Sequence, residues 1–151
     1  VSSTLASIAK DHLGGAMLKS GLYWIPEDNR HNWSEASKAF STAAVDGDTD
    51  VTELRYLMDE AGVNAIKDAI IDEVVVASAK LQDEIAAGSL GKGALTTRQF
   101  AAAALHARVS KYEAILGEAL TALHESVRVA EEAAASAIAV QEADEVYAGV
   151  F

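Results

Sequence analysis

Four histidines stand in this chain, His12, His31, His106 and His124, and two of them fall in a pattern that could carry proton or metal chemistry. His106 and His124 are eighteen residues apart, and Glu113 and Glu131 each follow one of them by seven residues. On one continuous helix all four lie along a single flank. A di-metal carboxylate bundle uses such a face, but it needs Glu and His one turn apart, and no histidine here has Glu three positions before it. At seven-residue separation the groups are about 10 Å apart, too far to share one ion without partners. They read as polar flank residues of a packed helix, and no metal is expected there. His124-Glu125 opens a zinc-protease motif that fails at Arg128, where a second histidine is required. Asp28 and His31 flank a turn after Pro26, where such side chains satisfy backbone groups.

Asp46, Asp48 and Asp50 alternate as the oxygen ligands of an EF-hand calcium loop do, and they form a weak calcium candidate. Counted from Asp46, position six is Val51 where the loop needs Gly, and position twelve is Leu57 where it needs Glu. An acidic turn leading into a helix N-terminus explains the same residues. Gly88 to Gly93 has the glycines of a phosphate loop, but the spacing is short and Gly follows Lys92 where Ser or Thr is required. Ser7 with Lys10 and Ser89 with Lys92 match Ser-x-x-Lys without its companion motifs. These failures leave no catalytic residue and no cofactor to assign. Tyr23, Trp24 and Trp33 can seal the end of a bundle or form a partner hot spot, since Trp and Tyr concentrate binding energy when desolvated. Tyr147, Val150 and Phe151 belong to an apolar tail that is costly to leave in water and is expected to dock.

Composition narrows the class. Of 151 residues half are hydrophobic, Pro occurs once and Cys never, so a disulfide scaffold, a cysteine-ligated metal centre and a thiol enzyme are excluded. The net charge of −11 opposes phosphate backbones, and no nucleic-acid partner is expected. Asp46 to Glu73 holds nine acids against Arg55 and Lys67, and Glu125 to Glu145 holds six against Arg128. Solvated helix faces account for both stretches more simply than nucleic-acid mimicry. No apolar run reaches the roughly 18 residues of a spanning helix, and Val1 to Ser20 lacks a basic start, so membrane insertion and secretion are not expected. Compartment stays unassigned, with a soluble cytoplasmic or particle-associated protein as the default.

The positioning elements follow from apolar periodicity. Leu5, Ile8, Leu13, Ala16 and Met17 predict a helix over 2–20, weakened or opened to close approach at Gly14-Gly15, with Ser20-Gly21 as its exit. Residues 21–33 form an ordered aromatic connection. Asn32 with Glu35 caps a second helix that stops before Asp46-Gly47. Asp50 with Glu53 caps a third, lined by Val51, Leu54, Leu57, Met58 and Ala61 and ended by Gly62. From Asn64 a helix of about twenty residues runs through Val74-Val75-Val76 and Ile85. After the glycine-rich stretch, Thr96 with Gln99 opens a capping box, and Leu105, Val109, Tyr112, Leu116, Leu120, Leu123, Val127, Ala130 and Ala134 trace a seam near the coiled-coil repeat. Unbroken from Thr97 to Tyr147, that helix spans roughly 75 Å, so it either breaks near Gly117 or projects and needs partners.

The expected fold is therefore all-α: a helical bundle with a long C-terminal helix, in one domain. Residues 1–87 form an N-terminal helical group, 88–95 a glycine-rich loop, and 96–151 the long helix and apolar tail. The expected role is a non-enzymatic structural or adaptor subunit of a larger homo-oligomeric or mixed assembly, such as a virion or appendage component. The alternatives are a soluble helical module for a small ligand or calcium, and an acidic inhibitor that mimics nucleic acid.

Overall fold

A computed structural model describes residues 2–43, 51–117 and 120–148. Its first helix, α1 (Ser2–Ser7), runs into a π-helical turn over Ile8–His12 that Gly14 ends with φ 64°. The chain then leaves helical geometry, where a helix to residue 20 was expected. Strands β1 (Ala16–Lys19) and β2 (Leu22–Trp24) pair antiparallel, with Ala16 opposite Trp24 and Met17 opposite Tyr23. Ser20-Gly21 is the hairpin turn between them, Gly21 at φ 79°. Gly15 explains the change of course. A Cβ there would lie 2.8 Å from the Ala9 and Trp24 carbonyl oxygens and from Ile25 Cδ1, so only glycine lets the returning strand approach this closely.

A 3₁₀ turn over Glu27–Asn29 leads into α2 (Arg30–Ala43), and the stop expected before Asp46-Gly47 lies outside the described residues. Its start differs: Asn32 lies inside the first turn and donates to Asn29 Oδ1 at 3.3 Å, so it is not the cap. The expected third helix does not form, and 51–58 carries no regular structure. Asp59 is the reason. Its Oδ1 accepts the Gly62 N–H at 2.8 Å and starts α3 (Glu60–Ala86) there, while the Tyr56 hydroxyl donates to the Gly62 carbonyl at 3.3 Å. Gly62, expected to end a helix, sits in the first turn of one. The Leu57 carbonyl occupies the space of its missing side chain, 2.1 Å from where a Cβ would stand.

α3 is 27 residues long, and Val74-Val75-Val76 lies inside it as expected. Ile66, Ile70, Val74, Ser78, Leu81 and Ile85 recur every three or four residues and are its buried side chains. By internal contacts the chain divides into two compact units, Val1–Ile70 and Ile71–Phe151, with the boundary inside α3.

The second unit contains the end of α3, then α4 (Lys92–Leu116) and α5 (Thr121–Ala148). Thr96 does not cap α4. The helix already begins at Lys92, and the Thr96 hydroxyl bonds back to the Lys92 carbonyl at 3.0 Å. The seam after it breaks at Gly117, whose φ of 68° closes α4 with an N–H to Glu113 O bond, and α5 returns along α4. Three helices then pack in layers: Leu81, Ala102 and Ala130 in one, Ile85, Leu95 and Ala134 in the next. The small Ala130 and Ala134 thus serve close approach of helices within this chain. At the far end Gln141 donates to the Leu90 carbonyl at 2.6 Å and Lys92 meets Glu142 at 3.2 Å, tying α5 to the first residue of α4 and the loop before it.

The class expected from the sequence is the class observed, a helical bundle whose last helix is long; the described residues add one small two-stranded sheet that was not expected.

Candidate functional site

Folding back at Gly117 converts the sequence spacing of the histidines into contact. Glu113, three residues from the end of α4, reaches the start of α5, where its Oε1 accepts the Leu120 N–H at 2.6 Å and its Oε2 meets His124 Nε2 at 2.8 Å. His124 in turn stacks obliquely on His106, with ring centroids 4.7 Å apart and planes at 53°. His106 Nδ1 lies 3.8 Å from Glu131 Oε2. The four residues form a row across two helices, Glu113, His124, His106, Glu131, in which every neighbour comes from the opposite helix. Bonds from His124 and from the Leu120 N–H, with the charge of both imidazoles when protonated, hold the Glu113 carboxyl below its ordinary range.

The Glu113 bonds to His124 and to the Leu120 N–H fasten the hairpin. A carboxylate-bound imidazole is also the pairing that general-base catalysis uses, but it acts on a substrate held beside it. Among the described residues no three His, Asp or Glu converge to hold a metal ion. An open groove of about 300 Å³ adjoins one end of the row, lined by Gln99 and Ala103 of α4 and Glu131, Glu132 and Ala135 of α5. Its walls offer two carboxylates, one amide and alanine methyls.

A second polar group joins α3 to α4. Arg108 Nη2 donates to Glu73 Oε2 at 3.1 Å, with Nε 2.9 Å from Oε1, and both side chains are 15% exposed. The guanidinium also lies 5.5 Å from the centroid of the Tyr112 ring. Tyr112 is fully buried, and burial pushes its phenol well above the ordinary value, Glu73 adding to the rise and Arg108 opposing it.

The residues picked out by sequence fare unevenly. Tyr23 and Trp24 are half-buried on β2, and Trp33 is half-buried on α2. Asp46, Asp48 and Asp50 lie outside the described residues, as do Val150, Phe151 and the side chain of Tyr147. Exposed bulky apolar residues were missed. Val76 is 68% exposed on α3, Phe100 72% on α4 and Val140 61% on α5, all in the second unit. Their signal was present in the sequence as apolar residues that fall off the buried seam. Leu54 and Leu57 were expected to line a helix, and each is 77% exposed.

No helix of the described residues is long and apolar enough to cross a membrane. No protein-family model matches the chain, no curated protein matches its sequence, and no solved structure matches it.

Proposed function

We propose that this chain is a non-enzymatic structural or adaptor subunit that packs through the outer faces of its helices into a larger oligomeric assembly. The carrying observation is the placement of Val76, Phe100 and Val140 in water, on helices whose inner faces are already filled by the layers around Ala102, Ala130 and Ala134. Leaving a Phe in water forgoes about 1.5–3 kcal/mol that burial would return, and a partner surface recovers it. Where the polar side chains are spent supports a contact role over a chemical one. Glu113 is engaged by Leu120 and His124, and Glu73 by Arg108.

The test is molar mass by light scattering over a dilution series, on the natural chain and on Val76→Lys, Phe100→Lys and Val140→Lys. A defined multiple of 15.8 kDa that one of these lysines dissociates is the expected result. A 15.8 kDa species at every concentration overturns self-assembly.

A further inference from the structure

We propose that 51–58 is a docking arm that folds into an amphipathic helix on a partner protein presenting an apolar helix face bordered by Lys and Arg. Over 51–58 the sequence and the structure disagree in an informative way. Val51, Leu54, Leu57 and Met58 carry the spacing of a helix with one apolar stripe, yet the segment has no regular structure and Leu54 and Leu57 are each 77% exposed. A stripe coded for a helix and left in water is the signature of a segment that folds where it binds, with its i, i+3 and i+7 positions as anchors.

What holds the arm in its present course is slight. Ser37 donates to Glu53 at 3.3 Å and Tyr56 to the Gly62 carbonyl at 3.3 Å, both long bonds, and the Leu57 carbonyl rests against the bare Cα of Gly62. Such a segment opens at low cost. The partner's chemistry follows from charge. Glu53, Asp59 and Glu60 border the stripe against Arg55 alone, and Asp46, Asp48 and Asp50 precede it in sequence. A second copy of this chain, itself at −11, repels such an arm, whereas a basic border attracts it. The arm deepens the assembly reading by naming one contact, and its test is separate from that of self-association.

The experiment uses the full chain and two synthetic helical peptides, one with a Leu stripe and Lys elsewhere, the other with the same stripe and Glu elsewhere. Amide hydrogen exchange over 51–58 and helical circular dichroism are followed together. With the Leu/Lys peptide the 51–58 amides gain protection and helicity rises; with the Leu/Glu peptide neither changes. The double substitution Leu54→Glu, Leu57→Glu weakens binding at least tenfold, although it makes the chain more acidic. Both residues are exposed, so the fold tolerates the change. Gly62→Ala, whose methyl displaces the Leu57 carbonyl, frees the arm and tightens binding. Binding that leaves 51–58 unprotected, binding that survives or strengthens in the double variant, or no binding at all overturns the arm. An oligomer that persists while the peptide fails leaves the assembly reading standing. A monomer whose arm is protected by the peptide does the reverse.

Discussion

Glu73 and Arg108 are the pair whose separation tells most at the scale of single residues. Each is 15% exposed, so the attraction between them is set against a desolvation cost that stays if one partner is removed. Glu73→Ala is expected to destabilise by about 3–5 kcal/mol, whereas the apolar pair Glu73→Leu with Arg108→Met stays within about 1 kcal/mol of the natural chain. Urea unfolding of the three chains checks this, and equal losses in the single and double variants refute it. Glu113 makes a prediction in pH. Its carboxyl is held below its ordinary value, first by His124 and then by the Leu120 N–H, so the folded chain binds that proton less readily than the unfolded chain. The stability this confers is present above about pH 4.5 and is lost as pH falls through the lower folded value. Melting temperatures of the natural chain and Glu113→Gln therefore differ near neutrality and converge in acid. A gap that stays constant down to pH 3 would show that the carboxylate charge contributes nothing.

Among the elements, the α4 to α5 hairpin turns on Gly117. Its φ of 68° is a left-handed conformation, and among the described residues, its chain neighbours and helix backbone aside, no atom lies within 4 Å of the place a Cβ would take, so substitution there strains the backbone. Gly117→Ala costs about 1–2 kcal/mol and Gly117→Asn less, because Asn tolerates that region. Thermal melts of both rank the two, and an Ala variant as stable as glycine would mean that the turn adopts another course. The same residue explains what the sequence could and could not disclose. α3 was legible because Ile66, Ile70, Val74, Leu81 and Ile85 repeat one period over many turns, enough to override the strand preference of Val74-Val75-Val76. The His and Glu row was legible as spacing but not as contact, since Glu113 meets His124 only after α5 turns back. Over 51–61 periodicity described a stripe without knowing whether any surface would receive it, and Asp59 captured the helix start first. Over 16–24 the turn at Ser20-Gly21 carried the same residues as a helix exit, and Gly15 decided between them through a close approach that no local pattern records.

For the whole molecule the controlling quantities are a net charge of −11 and the apolar side chains left on the second unit. Copies of an acidic chain repel one another over about 10 Å at 0.1 M salt, and this repulsion opposes the contacts proposed for the exposed Val76, Phe100 and Val140. Added salt screens the repulsion and leaves the apolar contact intact, so self-association is expected to tighten as salt rises from about 0.05 M to about 0.5 M. A protein that acts through its acids, as a mimic of nucleic acid does, behaves oppositely, because its attraction to a basic partner is what salt removes. Sedimentation velocity across that range separates the two. Mass that grows with salt supports assembly through apolar faces, and growth that Phe100→Lys abolishes assigns the face. Mass that falls with salt requires charge pairing between copies, and it would move the contact from Phe100 to acidic runs such as Glu125 to Glu145 facing Lys and Arg of a neighbour.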